Sequence, residues 1–175
     1  MEAIVFGGGC FWCTEAVFKM MKGLVSVLPG YSGGHTVNPG FREVSSGTTG
    51  HVEVVKVDFG PKTARLADLL EIFFASHDPT QLNRQGNDTG TQYRSAIYYS
   101  NGAQEKTINK FIKEKQKAYG DRKIVTEIGP LGAFYPAEER DIGFFAKKPL
   151  QPYCMFVISP KVAKIKKKLS EMGKG

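Results

Sequence analysis

An α+β fold, with helices layered on one mixed β-sheet, is the architecture this chain predicts, and three observations carry that expectation. About six short apolar runs of strand character are separated by turn residues. Longer segments after a first helix near the N-terminus repeat apolar residues at helical spacing. The two kinds of element do not alternate strictly, which argues against a doubly wound parallel sheet.

Taken in order, Ala3 to Phe6 is a short apolar strand that Gly7, Gly8 and Gly9 bring to an end. Val17, Phe18 and Met21, at i, i+1 and i+4, form one apolar face of a helix opening near Cys10. Val25 to Leu28 predicts a second strand. The next twenty or so residues, Gly30 to Gly50, are dense in Gly, Ser, Thr and Asn, and a loop this long inside a compact domain points to function. Gly50 to Phe59 is the clearest strand, and Pro61 breaks it. Leu66, Leu69, Leu70, Phe73 and Phe74 mark a core helix, which a polar loop connects to a strand near Ser95 to Tyr99. His77, at the end of that helix beside Asp78 and Pro79, reads as a C-terminal cap interacting with the helix dipole. Ala103 to Tyr119 predicts a helix with Ile108, Phe111 and Ile112 inward. Ile124 to Ile128 reads as a strand, Ala133 to Phe145 as irregular, and Cys154 as the start of a last strand. Ser159 and Pro160 then suit the cap and first turn of a helix over Val162 to Met172.

The composition narrows the class. A chain of 175 residues that is 41% hydrophobic, with no linker and no repeat, fits one domain spanning residues 1–175. Glu2 stands where a secretory leader would be basic, and no apolar stretch reaches membrane-spanning length, so a cytoplasmic protein without a membrane partner is expected. The formal charge of +7 sits largely on Lys-rich helical patterns, which favours solvated faces over a nucleic-acid stripe. Three cysteines are too few for a secreted disulfide scaffold, and in a reducing compartment a C-x-x-C pair is catalytic or metal-binding.

That pair lies in GGGCFWCTEA. Cys10 falls at a helix N-terminus, where free N–H groups and the positive end of the dipole favour a thiolate; the alternative is a buried, inert cysteine. Cys13 is one turn on and on the same face, within reach of a disulfide after small adjustment. Phe11 and Trp12 between them cannot both point inward with the cysteines, so at least one lines a surface pocket. Along the clearest strand, alternation puts Glu53 on one face with Val55, Val57 and Phe59. If that face is buried, the carboxyl has a raised pKa and donates protons near neutrality; if Glu53 lies at the strand's open end, it meets solvent or a lysine. Asp88 and Tyr93 are polar groups in the second long loop, where either alone is ordinary turn chemistry. A metal site from Cys10, Cys13, Cys154 and one of His35, His51 or His77 is compatible with composition, although the spacing matches no standard finger.

The segments GCFWCTEA, GYSGGHTVNPGFREVSSG, GHVEVVKV, GNDTGTQYRSAIY, AFYPAE and PYC occur in order across most of the chain, and with them it resembles the A-type peptide methionine sulfoxide reductases. The resemblance implies a two-layer α+β sandwich of ferredoxin-like type. It also implies a nucleophile at Cys10, a substrate-methyl pocket at Phe11 and Trp12, an acid at Glu53 and hydrogen-bonding groups at Asp88 and Tyr93. The implied reaction is reduction of methionine S-sulfoxide, free or in proteins, through a sulfenic acid and an intramolecular disulfide that thioredoxin reopens, with no metal or prosthetic cofactor; a monomer is expected. Three departures accompany it. Phe41 stands at a substrate-binding position where the family commonly has a second Tyr hydroxyl. Cys13 replaces a Gly and offers a local resolving thiol, with Cys154 as its competitor. Glu139, Arg140, Asp141 and Ile142 replace the usual Tyr-His-Gln type continuation. A general thiol-disulfide oxidoreductase using Cys10 and Cys13 is the alternative function.

Overall fold

A computed structural model describes residues 1–173. In chain order its elements are β1 (Glu2–Gly7), α1 (Phe11–Phe18), β2 (Leu24–Ser32), α2 (Phe41–Ser45), β3 (Val52–Phe59), α3 (Leu66–Ser76), β4 (Arg84–Gln85), β5 (Asp88–Thr89), β6 (Ala96–Tyr99), α4 (Gly102–Tyr119), β7 (Glu127–Pro130), β8 (Phe134–Pro136), α5 (Phe144–Lys147) and α6 (Ser159–Met172). Six strands form one sheet in the order β7-β6-β1-β3-β2-β8, antiparallel throughout except for the parallel β6 and β7 pair. Within it, the succession β1-α1-β2-β3-α3-β6 gives the central order β6-β1-β3-β2, the split β-α-β arrangement of ferredoxin-like folds.

Alternation along β3 decides which residues meet the helices. Val55, Val57 and Phe59 join Val17 and Phe18 of α1 and Leu69, Leu70 and Phe73 of α3 in the main core, while Val52 and Val54 turn to the opposite face with Val5, Ala96 and Tyr98. Phe6 of β1 stacks on Phe18 at 4.9 Å and meets the tilted ring of Phe73 at 4.8 Å, tying the sheet to both helices. Removing a fully buried phenyl ring loses its transfer energy and leaves a cavity. Phe6→Ala is therefore expected to cost about 3–5 kcal/mol in a urea unfolding titration.

The sequence expectations for the C-terminal third need correction. The run that starts at Cys154 is no strand: Cys154–Ile158 forms a π-helical segment running directly into α6. Burial follows a helical spacing there, with Cys154, Ile158, Ile165 and Leu169 inward and Met155, Phe156 and Val157 outward. Five consecutive apolar residues resemble a strand, and only their packing reveals the other period. Ser159 consequently is no N-cap; it has helical backbone, and Pro160, which has no N–H to give, lies in the first turn of α6. Two segments expected to be irregular hold short elements, α2 in the first long loop and β8 and α5 between residues 133 and 147. The polar loop after α3 likewise contains the β4-β5 hairpin. His77 does cap α3, but as a neutral ring: Nδ1–H donates to the Phe73 carbonyl, Nε2 meets the Ser95 hydroxyl, and burial pulls its pKa down to about 4. No helix among the described residues is long and apolar enough to cross a membrane.

Candidate active site

The glycines before Cys10 let β1 turn sharply into α1. Gly9 has φ +93°, a left-handed conformation, and a Cβ there would lie 2.8 Å from the Gln85 side chain, so the hairpin loop would be pushed from the site. The turn sets Cys10 at the N-cap of α1, half-buried, with Phe11 at the first helical position.

Glu53 reaches this point from β3. It is 2% exposed, and its Oε1 accepts the Phe11 N–H at 3.2 Å. Burial pushes its pKa up to about 8, opposed chiefly by that backbone donor and raised further by the Asp88 and Asp141 charges, while Tyr93 donates a hydrogen bond to it. The open-end alternative for Glu53 is thus excluded by its burial. Tyr93 has its own ionisation pushed up, first by burial and then by Glu53 and Cys10, so it stays a neutral donor.

The ease of thiolate formation expected at Cys10 is opposed by its surroundings. Burial, then the neighbouring Glu53, hold its thiol well above the ordinary range, and the backbone bond from Trp12 only partly offsets them. Burial is the main physical reason, because an anion there loses its water, and the first N–H of α1 gives no relief since it is committed to Glu53. Two like charges disfavour each other here, so the pair titrates as one coupled system in which the sulfur becomes anionic only while Glu53 keeps its proton.

A second group of residues faces the other side of Cys10. Cys10, Cys13, Gln85, Asp88, Tyr153 and Lys161 line one pocket. Tyr153 donates to Asp88 Oδ2 at 2.6 Å and lies 3.7 Å from Cys13 Sγ. Cys154 is fully buried behind, in an apolar cluster with Cys13, Phe144 and Ile158. Burial raises the thiols of both Cys13 and Cys154, and Lys161 lowers that of Cys13. No disulfide links the three cysteines.

The two aromatics of the motif separate. Phe11 is buried against Tyr31, with ring centroids 5.5 Å apart, and belongs to the core. Trp12 stacks on Phe144 at 3.6 Å, donates its indole N–H to Asp141 Oδ1 at 3.1 Å, and lines a groove with Phe41 and Arg140. The Arg140 guanidinium sits 5.5 Å over the Phe41 ring. Glu53, Tyr93, Asp88 and Cys13 thus gather around Cys10, whereas Phe41 meets Trp12 in the adjoining groove. Tyr153, Asp141 and Phe144 were not singled out from the sequence. Tyr153 lay within the PYC segment, and Asp141 within the departure after AFYPAE. Among the described residues no group of three or more His, Cys, Asp or Glu is placed to hold a metal ion.

The family model described as peptide methionine sulfoxide reductase matches residues 2–173. A peptide methionine sulfoxide reductase of Saccharolobus solfataricus is 53% identical over 167 residues, covering 95% of this chain and 94% of the relative. Among solved structures, Mxr1 of Saccharomyces cerevisiae in reduced form is 34% identical with a TM-score of 0.81, covering 87% of this chain and 88% of that one. The same yeast protein in complex with Trx2 is similar at 28% identity and a TM-score of 0.58, over 80% of this chain and 83% of that one. The chain thus matches known peptide methionine sulfoxide reductases in sequence over nearly its whole length and in fold, and it belongs to the peptide methionine sulfoxide reductase family.

Proposed function

We propose that this chain reduces methionine S-sulfoxide, free or in proteins, to methionine, and so repairs oxidised protein. The observation that carries the proposal is the Glu53 carboxyl, buried and held on the Phe11 N–H beside Cys10. With one proton shared by the pair, the reactive form is Cys10 thiolate with protonated Glu53. The thiolate attacks the sulfoxide sulfur, Glu53 protonates the oxygen, and the oxygen passes to Cys10, leaving methionine and a sulfenic acid. Tyr93, whose hydroxyl donates to Glu53 in the free site, turns that proton to the oxygen as the second donor, since Phe41 has no hydroxyl.

Recognition then rests on the polar groups. Burying one substrate methyl beside the aromatics contributes only about 0.8 kcal/mol. Donors left without a partner by a plain thioether can discriminate by roughly 10⁴-fold, so rejection of reduced methionine belongs to Glu53 and Tyr93.

Cys13 is the thiol that resolves the sulfenic acid. It lines the Cys10 pocket, whereas Cys154 packs behind it and takes part only after movement. The disulfide is reopened by an external dithiol of thioredoxin type, the kind of partner on which the yeast relative was solved. The site is built within one domain, and cysteines that must cycle between thiol and disulfide suit a reducing compartment such as the cytoplasm.

Turnover of the separated S and R epimers of N-acetyl-methionine sulfoxide, with dithiothreitol as reductant, tests the function. The S epimer should be reduced and the R epimer left. Reduction of insulin disulfides with neither epimer consumed would instead establish the general thiol-disulfide oxidoreductase.

A further inference from the structure

Cys13 poses a chemical problem that its surroundings answer. To close the disulfide it must lose a proton at the moment it attacks the Cys10 sulfenic acid, yet it is 2% exposed and its thiol is raised by burial. Water alone is a poor acceptor there.

The Tyr153 hydroxyl carries a single proton, and at 2.6 Å that proton is committed to Asp88 Oδ2. The 3.7 Å contact to Cys13 Sγ must then run the other way, with the thiol as donor and the Tyr153 oxygen as acceptor. Donor and acceptor therefore point in one direction, from Cys13 through Tyr153 to Asp88. Trp12 lies edge-on to the Tyr153 ring at 5.8 Å and helps hold it between the two.

The geometry points to Tyr153 and Asp88 as the proton relay that activates Cys13 for the second half of the reaction, a role that rests on the proposed reductase chemistry and on Cys13 as the resolving thiol. In that step the Cys13–Cys10 S–S bond forms and the Cys10 S–O bond breaks. The Cys13 proton passes to the Tyr153 oxygen as the Tyr153 proton passes to Asp88. Asp88 lines the pocket of Cys10 as well, so its carboxyl can return a proton to the departing hydroxide, which leaves as water. Electrons and protons balance with no further reagent: Cys13 and Cys10 end as the disulfide, and Asp88 returns to carboxylate. The charged or titratable groups facing Cys13 are Tyr153, Asp88, Cys154, Cys10 and, from α6, Lys161, whose charge favours the departing proton.

The test uses the full reduced chain carrying Cys154→Ser, so that only Cys13 can resolve. It is mixed with excess N-acetyl-methionine S-sulfoxide and no reductant, and methionine release and thiol loss are followed separately by rapid quench. Adding Tyr153→Phe, which keeps the ring, should lower disulfide formation about 10²-fold more than methionine release. Dimedone should then trap sulfenic acid accumulating on Cys10, and raising the pH should recover the rate, because Cys13 can then ionise unaided. Asp88→Asn, which accepts the Tyr153 bond but takes up no proton, should shift the same ratio. A merely structural Tyr153 would lower both rates together and show no pH rescue. Ratios within a factor of about three of the parent in both variants would overturn the relay. So would a Cys154→Ser chain that releases methionine and forms no Cys10–Cys13 disulfide. No methionine from the native chain would strike the reductase function itself, and the relay with it.

Discussion

Glu53→Gln is expected to slow methionine release from an S-sulfoxide by roughly 10²–10⁴-fold, the usual contribution of a positioned acid. Glutamine keeps the shape and can still accept the Phe11 N–H, so the loss isolates the proton. The same substitution should stabilise the fold. The Glu53 pKa rises from an ordinary 4.5 to about 8, so the folded chain retains a proton that the unfolded chain releases above pH 4.5. Stability contributed at this position therefore falls as pH climbs from about 4.5 to about 8. Glutamine has no proton to lose and escapes that fall. The gain is greatest at and above pH 8, with an upper bound of about 5 kcal/mol. Urea midpoints of native and variant chains at pH 5 and pH 8.5 check it: the two should differ little at the lower pH and clearly favour the variant at the higher. A variant destabilised at pH 8.5 would mean that Glu53 is not a buried, proton-holding acid.

This opposition between stability and chemistry explains why so polar a residue sits on the apolar face of β3. It was legible in the sequence because a strand's period of two leaves no choice of side: once Val55, Val57 and Phe59 are core, Glu53 points with them. Cys10 was legible for a similar reason, since three glycines between a strand and a helix make sense only where the backbone must turn tightly beside something else.

Other features depend on contacts between distant parts of the chain. Glu53 reaches the head of α1 from across 42 residues, and together with the burial of Cys10 it works against the simple dipole expectation for that thiol. Tyr153 and Asp88 are separated by 65 positions and fall in different kinds of element, so no periodicity could pair them. The segment around Cys154 misled because apolar and β-branched residues in succession suit a strand, whereas three of them, Met155, Phe156 and Val157, are exposed on a helix. The groove of Trp12, Phe41 and Arg140 likewise required α2, a five-residue helix inside a loop whose composition gave no periodic signal.

Cys10→Ser should abolish the reaction outright. Serine preserves the N-cap position and the neighbouring Glu53, but its oxygen is a far weaker nucleophile at neutral pH, and taking up the sulfoxide oxygen would require an O–O bond in place of a sulfenic acid. The loss should exceed that of Glu53→Gln, since removing the acid slows a step that remains possible, whereas removing the sulfur leaves no acceptor for the oxygen. One single-turnover measurement without reductant decides the matter: methionine released per reduced chain from an S-sulfoxide peptide, native against Cys10→Ser. The native chain should release it promptly while Cys10 gains oxygen and then closes a disulfide, and the serine chain should release none. Methionine formed by the serine chain at a comparable rate would contradict the assignment of Cys10 as the atom that accepts the oxygen.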